Sequence, residues 1–253
     1  MKPEMLSDPI FLISAVFAVI ITGISKGGFG GLALFAVPIL SLSISPVQAA
    51  GILLPILIVM DWVSIWAYRK HWDKRLLLLM LPGAMIGIAI GGLLADRVSE
   101  DFVRVCVGFI AVAFPVYAVL GPKFRTGGDW LKGNRPMAWA SGIAAGFTSF
   151  VAHAGGPPFQ TYALPQGLDK RIYAGTAVMF FMVVNAVKLI PYAMLGQFDR
   201  TNLTISAALI PLAPIGVLIG VWLVKRIDQQ TFYRVMYALI FVTGVKLLWD
   251  GLI

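Results

Sequence analysis

The apolar run from Ile10 to Ile44 is broken in its middle by Ser25-Lys26-Gly27-Gly28-Phe29-Gly30-Gly31, four glycines beside a cation. A second break stands in the other half of the chain, at His153-Ala154-Gly155-Gly156-Pro157-Pro158-Phe159. A helix in lipid has to satisfy its own backbone hydrogen bonds, and runs of Gly and Pro interrupt that ladder. Interrupted backbone is tolerated at membrane depth only where protein or a water-filled cavity takes up the freed groups. Breaks at matching places in two halves of a membrane chain therefore point to a ligand site.

The membrane premise rests on composition. The chain is 59% hydrophobic and only 13% charged, against about 25% charged in soluble domains, and its mean hydropathy is +0.87. Its 253 residues have room for about eight to ten spanning or part-spanning helices at roughly 20 residues each. This predicts an all-α polytopic membrane protein, one transmembrane domain over 1–253. A net charge of +8 would suit nucleic acid elsewhere. Here the basic residues fall in short loops between apolar runs, so topology accounts for them and no nucleic-acid partner is expected. Cys106 is the sole cysteine and lies in an apolar run, which leaves no disulfide or cysteine metal site. Met1 to Pro9 lacks the basic start and cleavage site of a signal peptide. Walker A, H-E-x-x-H and Rossmann patterns are absent, so no metal, cofactor or ATP-driven step is expected.

Apolar segments fall at about 10–24, 31–44, 47–68, 76–95 and 102–120, and resume at about 137–152, 157–165, 172–195, 203–224 and 231–253. The first pair in each half is short. Between the halves lies a linker at about 121–136, rich in Gly, Pro and charge. Repeat one covers about 10–120 and repeat two about 137–253. Ala50-Gly51 matches Ala174-Gly175, Asp61 matches Asn185, Val63 matches Val187 and Tyr68 matches Tyr192. With small gaps, Gly87, Gly91, Arg97 and Arg104 match Gly216, Gly220, Arg226 and Arg234. Loops after odd-numbered segments carry Arg69, Lys70, Lys74, Arg75, Lys123, Arg125, Lys132, Arg135, Lys170, Arg171, Lys225, Arg226 and Arg234. The other side has only Lys2, Arg97, Arg104 and Arg200. This bias predicts a cytoplasmic linker and both termini outside. Each half then crosses an odd number of times, as five spans or as three plus a re-entrant pair, and the halves are inverted repeats.

Ionisable residues within spans are functional candidates by default. Lys26 stands beside the first break and His153 opens the second, while Asn185 and Lys188 share a helix face. Broken helices leave N–H groups and positive dipole ends facing a cavity, and glycines let a ligand approach that backbone. The pattern predicts a small-anion site. Structural readings stand beside it. Lys26 and Lys188 could snorkel to an interface, His153 could bond a freed carbonyl, and Asp61 could pair with a lysine. Trp72 and Trp130 read as interfacial anchors. Gly87, Gly91, Gly92, Gly216 and Gly220 read as helix-packing sites, and Met179-Phe180-Phe181-Met182 as facing lipid or neighbouring helices. Gly23-Ile24-Ser25-Lys26-Gly27 also fits G-x-S-x-G, the nucleophile-elbow pattern, which needs a strand before it.

The glycine break leading to Val37-Pro38, and Gly146-Phe147-Thr148-Ser149-Phe150 running on through His153 to Phe159, carry a wider likeness. Together with Leu168-Asp169-Lys170-Arg171 and Asn185 to Lys188 before Pro191-Tyr192, they resemble the TauE/SafE family of sulfite exporters, also described as 4-toluene sulfonate uptake permeases. The resemblance covers essentially the whole chain. It implies a bacterial inner-membrane permease for sulfite or a small organosulfonate, with export the expected direction. The substrate-binding set expected on both grounds takes Ser25, Lys26, Gly27, Gly28 and Gly30 from the first half. From the second it takes Thr148, Ser149, His153, Gly155, Gly156, Gln160, Asn185 and Lys188. Asp61 and His153 are the candidates for carrying a coupling proton. The partners are then a small sulfur-containing anion and the bilayer, with a homodimer as the assembly the chain allows. Alternating access is the expected mechanism. The alternatives are a passive anion channel and an intramembrane serine protease using Ser25 and His153.

Overall fold

A computed structural model of the chain describes residues 8–40, 43–44, 46–94, 97–120, 132–194 and 200–252. The linker over 121–131, with Trp130, and the first seven residues lie outside the described residues. All regular structure among those described is helical. The helices are α1 (Pro9–Lys26), α2 (Ala36–Leu40), α3 (Pro46–Tyr68), α4 (Lys74–Leu94) and α5 (Glu100–Leu120) in the first half. The second half holds α6 (Arg135–Ala152), α7 (Gly156–Ala163), α8 (Lys170–Met194), α9 (Arg200–Leu209), α10 (Leu212–Arg226) and α11 (Gln229–Leu252). A 3-10 turn (Leu32–Phe35) precedes α2 and another (Leu164–Gln166) follows α7.

Among the described residues, five helices are long and apolar enough to cross a membrane: α1, α3, α4, α8 and α11. Helices α9 and α10 make a sixth if counted together; they bend by 49°. The apolar stretch 203–224 reads as one segment in the sequence, but Pro211, which has no N–H to continue the ladder, divides it. Helix α1 has 18 residues, about 27 Å at 1.5 Å per residue, close to the roughly 30 Å hydrocarbon core. Helices α2 and α7, of 5 and 8 residues, reach only part of that way.

The helix starts follow local chemistry. Asp8 caps α1 by accepting the Ile10 N–H at 3.0 Å, and Asn134 caps α6 by accepting that of Met137 at 3.1 Å. Pro9 and Pro136 occupy the first turns, where no intrahelical N–H is needed. The linker expected to run to residue 136 therefore gives way to helix at Arg135. On the polar side, Asp228 accepts the Thr231 N–H at 2.9 Å at the start of α11, and Thr231 holds its carboxyl below the usual carboxylate range.

Four helix pairs make the most extensive contacts. Helix α1 packs on α10, and α6 on α4; α3 packs on α8, and α5 on α11. Among the described residues, the pair α1/α10 makes no substantial contact with α4/α6. Small residues bring the backbones together, as helix pairs in lipid require. A methyl group at Gly23 would lie 2.6 Å from Gly216 Cα, and one at Gly27 2.6 Å from Gly220 Cα. In the other pair, a methyl at Gly87 would lie 2.1 Å from the Ile143 carbonyl oxygen, and one at Gly146 2.1 Å from that of Ala84. Gly91 packs against Phe150, and Gly92 has only an ordinary contact with it. Trp62, Trp66, Trp222 and Trp249 lie on the outer, exposed surface. Lys246, the third lysine inside an apolar segment, pairs with Asp250 one turn along α11.

Candidate functional site

Each break is a bookkeeping problem for backbone hydrogen bonds, and the chain solves the acceptor side. Helix α1 stops because Gly28 and Gly31 take φ values of 134° and 110°, which side chains rarely allow. The Lys26 carbonyl accepts from Ser64 Oγ (3.2 Å) and the Gly27 carbonyl from Tyr68 OH (2.6 Å), both on α3. The Gly30 carbonyl accepts from Gln160 Nε2 (2.9 Å) on α7, and that of Gly31 from Thr243 Oγ1 (3.4 Å) on α11.

At the second break His153 caps α6 in the left-handed region, with φ 52°. Its N–H and that of Ala154 both turn back to the Thr148 carbonyl. That leaves the Ser149 carbonyl outside the ladder, and Lys188 Nζ donates to it at 2.6 Å. Thr148 Oγ1 lies 2.7 Å from the Ala144 carbonyl and 3.1 Å from that of Ala154. Pro157 and Pro158 remove two N–H groups from the first turn of α7, and the Phe159 N–H reaches the Gly155 carbonyl at 3.3 Å.

The donor side is left open. Among the described residues, the N–H groups of Phe29, Gly30, Gly31, Gly155 and Gly156 meet no acceptor. Buried backbone donors are rarely left so. Breaks in which donors reach the Lys26, Gly27, Gly30, Gly31, Ser149 and Ala154 carbonyls while these N–H groups stay open make a surface suited to an anion.

That surface bounds a cavity of about 150 Å³. A water needs roughly 10–15 Å³ of such room, so a polyatomic anion fits. Of the residues expected from sequence, Ser25, Lys26, Gly28 and Gly30 line it from the first half. Ser149, His153, Gly155 and Gly156 line it from the second break, and Gln160, Asn185 and Lys188 complete the polar wall. Three expected residues stand off the wall. Gly27 is pressed against Gly220 of α10, Thr148 serves the turn at the end of α6, and Asp61 lies behind Lys26 and Asn185. A second cavity of about 280 Å³ lies at the far end of α7, bordered by Arg75 and Lys132, both exposed. It touches neither break.

The cations differ in setting. Lys26 Nζ is 2.6 Å from Asp61 Oδ1, with the two side chains 12% and 4% exposed. Asp61 Oδ2 in turn accepts from Asn185 Nδ2 at 2.9 Å. The Lys26 charge is thus matched inside the protein, the structural role anticipated for Asp61. Lys188 is 1% exposed. Its ammonium also lies 3.4 Å from Ser149 Oγ and 3.4 Å from His153 Nδ1, so oxygen and imidazole groups solvate it at the cavity wall.

Sequence reading missed the apolar half of that wall, which includes Phe159, Tyr173, Ala177 and Phe181. Phe181 faces the cavity, and Phe180 is buried against the Phe159 ring at 4.8 Å. The signal was available in α8. Stepping back from Lys188 and Asn185 by helical turns reaches Phe181, Ala177 and Tyr173, one continuous stripe. Gly23 to Gly27 lies on the last turns of α1, a helix from Pro9 onward, whereas a nucleophile elbow requires a strand-to-helix turn.

A family model described as Sulfite exporter TauE/SafE matches residues 15–247. No curated protein and no solved structure matches the chain.

Proposed function

We propose, from the premise that this chain belongs to the sulfite exporter TauE/SafE family, that it is a secondary carrier of sulfite or a small organosulfonate. The family makes it a multi-pass membrane transporter. The observation that supports the finer reading is the one cavity lined by glycines of both breaks together with Lys188. A sulfite or sulfonate group presents a compact tripod of oxygen acceptors. Backbone donors and an ammonium satisfy it with charge-assisted hydrogen bonds, and the ring-lined half of the wall accommodates an organic substituent.

The mounting of the breaks supports alternating access. The first break extends α1, which is locked to α10, and the second extends α6, which is locked to α4. These two tight pairs are separated by α3 and α8. Rocking one pair against the other would open the cavity first to one side and then to the other. The halves are then inverted repeats, with a cytoplasmic linker and both termini outside, in a bacterial inner membrane. A proton carried by Asp61 or His153, or the membrane potential acting on the anion itself, would supply the drive. Calorimetry on the purified protein tests the substrate reading. Sulfite or a small sulfonate should bind saturably, and wild-type affinity in Lys188→Met would contradict this site.

A further inference from the structure

We infer that the cavity selects an anion that itself carries a hydrogen-bond donor, an O–H or N–H, over one that presents acceptors alone. The inference rests on the reading that the cavity holds a sulfur oxyanion. It assigns hydrogen sulfite or a hydroxy- or amino-substituted sulfonate ahead of fully deprotonated sulfite or sulfate.

Gln160 on α7 is 2% exposed. Its Nε2 donates to the Gly30 carbonyl at 2.9 Å, tying the second break to the first. A carbonyl only accepts, so the amide nitrogen has to face Gly30 and the amide oxygen has to face away. The assignment of oxygen and nitrogen is therefore fixed by chemistry. A methyl at Gly30 would lie 2.9 Å from that nitrogen. Gln160 lines the cavity wall, and its Oε1 is buried with no partner among the described residues. The Tyr173 hydroxyl, on the α8 stripe of the same wall, is likewise buried without a partner.

These two groups differ in what they ask of a ligand. A tyrosine hydroxyl can donate to an anion's oxygen. An amide oxygen can only accept. A ligand made only of acceptors would leave Oε1 unsatisfied and repelled. A ligand with one O–H or N–H would satisfy it, while its remaining oxygens take the Lys188 ammonium, the Tyr173 hydroxyl and the backbone N–H groups. A buried acceptor left unmet weakens binding by roughly tenfold or more. The competing occupant is a resident water, which would satisfy Oε1 whatever the ligand is.

Calorimetry with matched probes decides between them. 2-Hydroxyethanesulfonate and propane-1-sulfonate are nearly the same size and differ by O–H against CH₃. The wild-type protein should bind the hydroxy compound at least about tenfold more tightly. Gln160→Met should bring the ratio close to one, and Tyr173→Phe should weaken both probes and keep the ratio. Equal affinity for the two probes in the wild type would overturn the inference, whether or not Gln160→Met folds. If no sulfur oxyanion binds, the sulfur reading fails, and glycolate against propionate puts the donor requirement to the same test. No preference there overturns it too.

Discussion

Asp61 and Asn185 meet across the centre of the molecule, Asn185 Nδ2 donating to Asp61 Oδ2 at 2.9 Å, from corresponding positions on α3 and α8. The contact joins one helix of each half of the chain, as does the packing of α5 on α11. The difference between Asp and Asn at this one place also sets where Lys26 finds its counter-charge.

That ion pair predicts a stability effect. Asp61→Asn strands a mostly buried ammonium, and breaking one side of a buried pair costs about 3 kcal/mol. The variant should unfold at lower temperature in detergent, and Lys26→Met combined with Asp61→Leu should recover much of the loss. A single variant as stable as wild type would mean that Lys26 finds water instead.

Lys188 predicts an affinity effect. A hydrogen bond to a charged group contributes about 1.5–3 kcal/mol, so Lys188→Met should weaken sulfur-anion binding by roughly tenfold to a hundredfold. Titration of the purified variant checks this. The same change removes the donor to the Ser149 carbonyl, so thermal unfolding should be measured alongside.

Two glycines separate scaffold from site. Gly146→Ala places a methyl 2.1 Å from the Ala84 carbonyl oxygen, and should push α4 and α6 apart and lower stability. Gly156 has nothing within 4 Å of such a methyl and lines the cavity. Gly156→Ala should fold normally and bind anion less well. Ligand titration and thermal unfolding of the two variants should give opposite patterns.

The existence and order of most segments were legible because Gly and Pro stop helices for local reasons, as Gly28 and Gly31 do through φ; the division of 203–224 at Pro211 was not. The polar wall was legible because charged and amide groups are costly in spans, which marks Lys26, Asn185 and Lys188 without any structure. The apolar wall was not. Phe181 and Tyr173 look like any core residues until a neighbour's position is known. The positions of Gly27 and Thr148, which sit within the motifs yet off the wall, depend on which side of each break packs against α10 or turns back onto α6. No spacing rule carries that information.

Topology predicts labelling. In a Cys106→Ser background, Lys70→Cys and Lys132→Cys should react with a membrane-impermeant maleimide only after the cells are opened, and Arg97→Cys should react in intact cells. Labelling of all three from the same side would remove the inverted arrangement.

The central claim is that a sulfur oxyanion is carried through the cavity between the two breaks. Counterflow of labelled sulfite in proteoliposomes tests it most directly. Vesicles preloaded with unlabelled sulfite should accumulate label transiently and saturably, and those holding Lys188→Met should accumulate far less. Flux that rises without saturation and shows no counterflow, or that Lys188→Met leaves unchanged, would contradict the account.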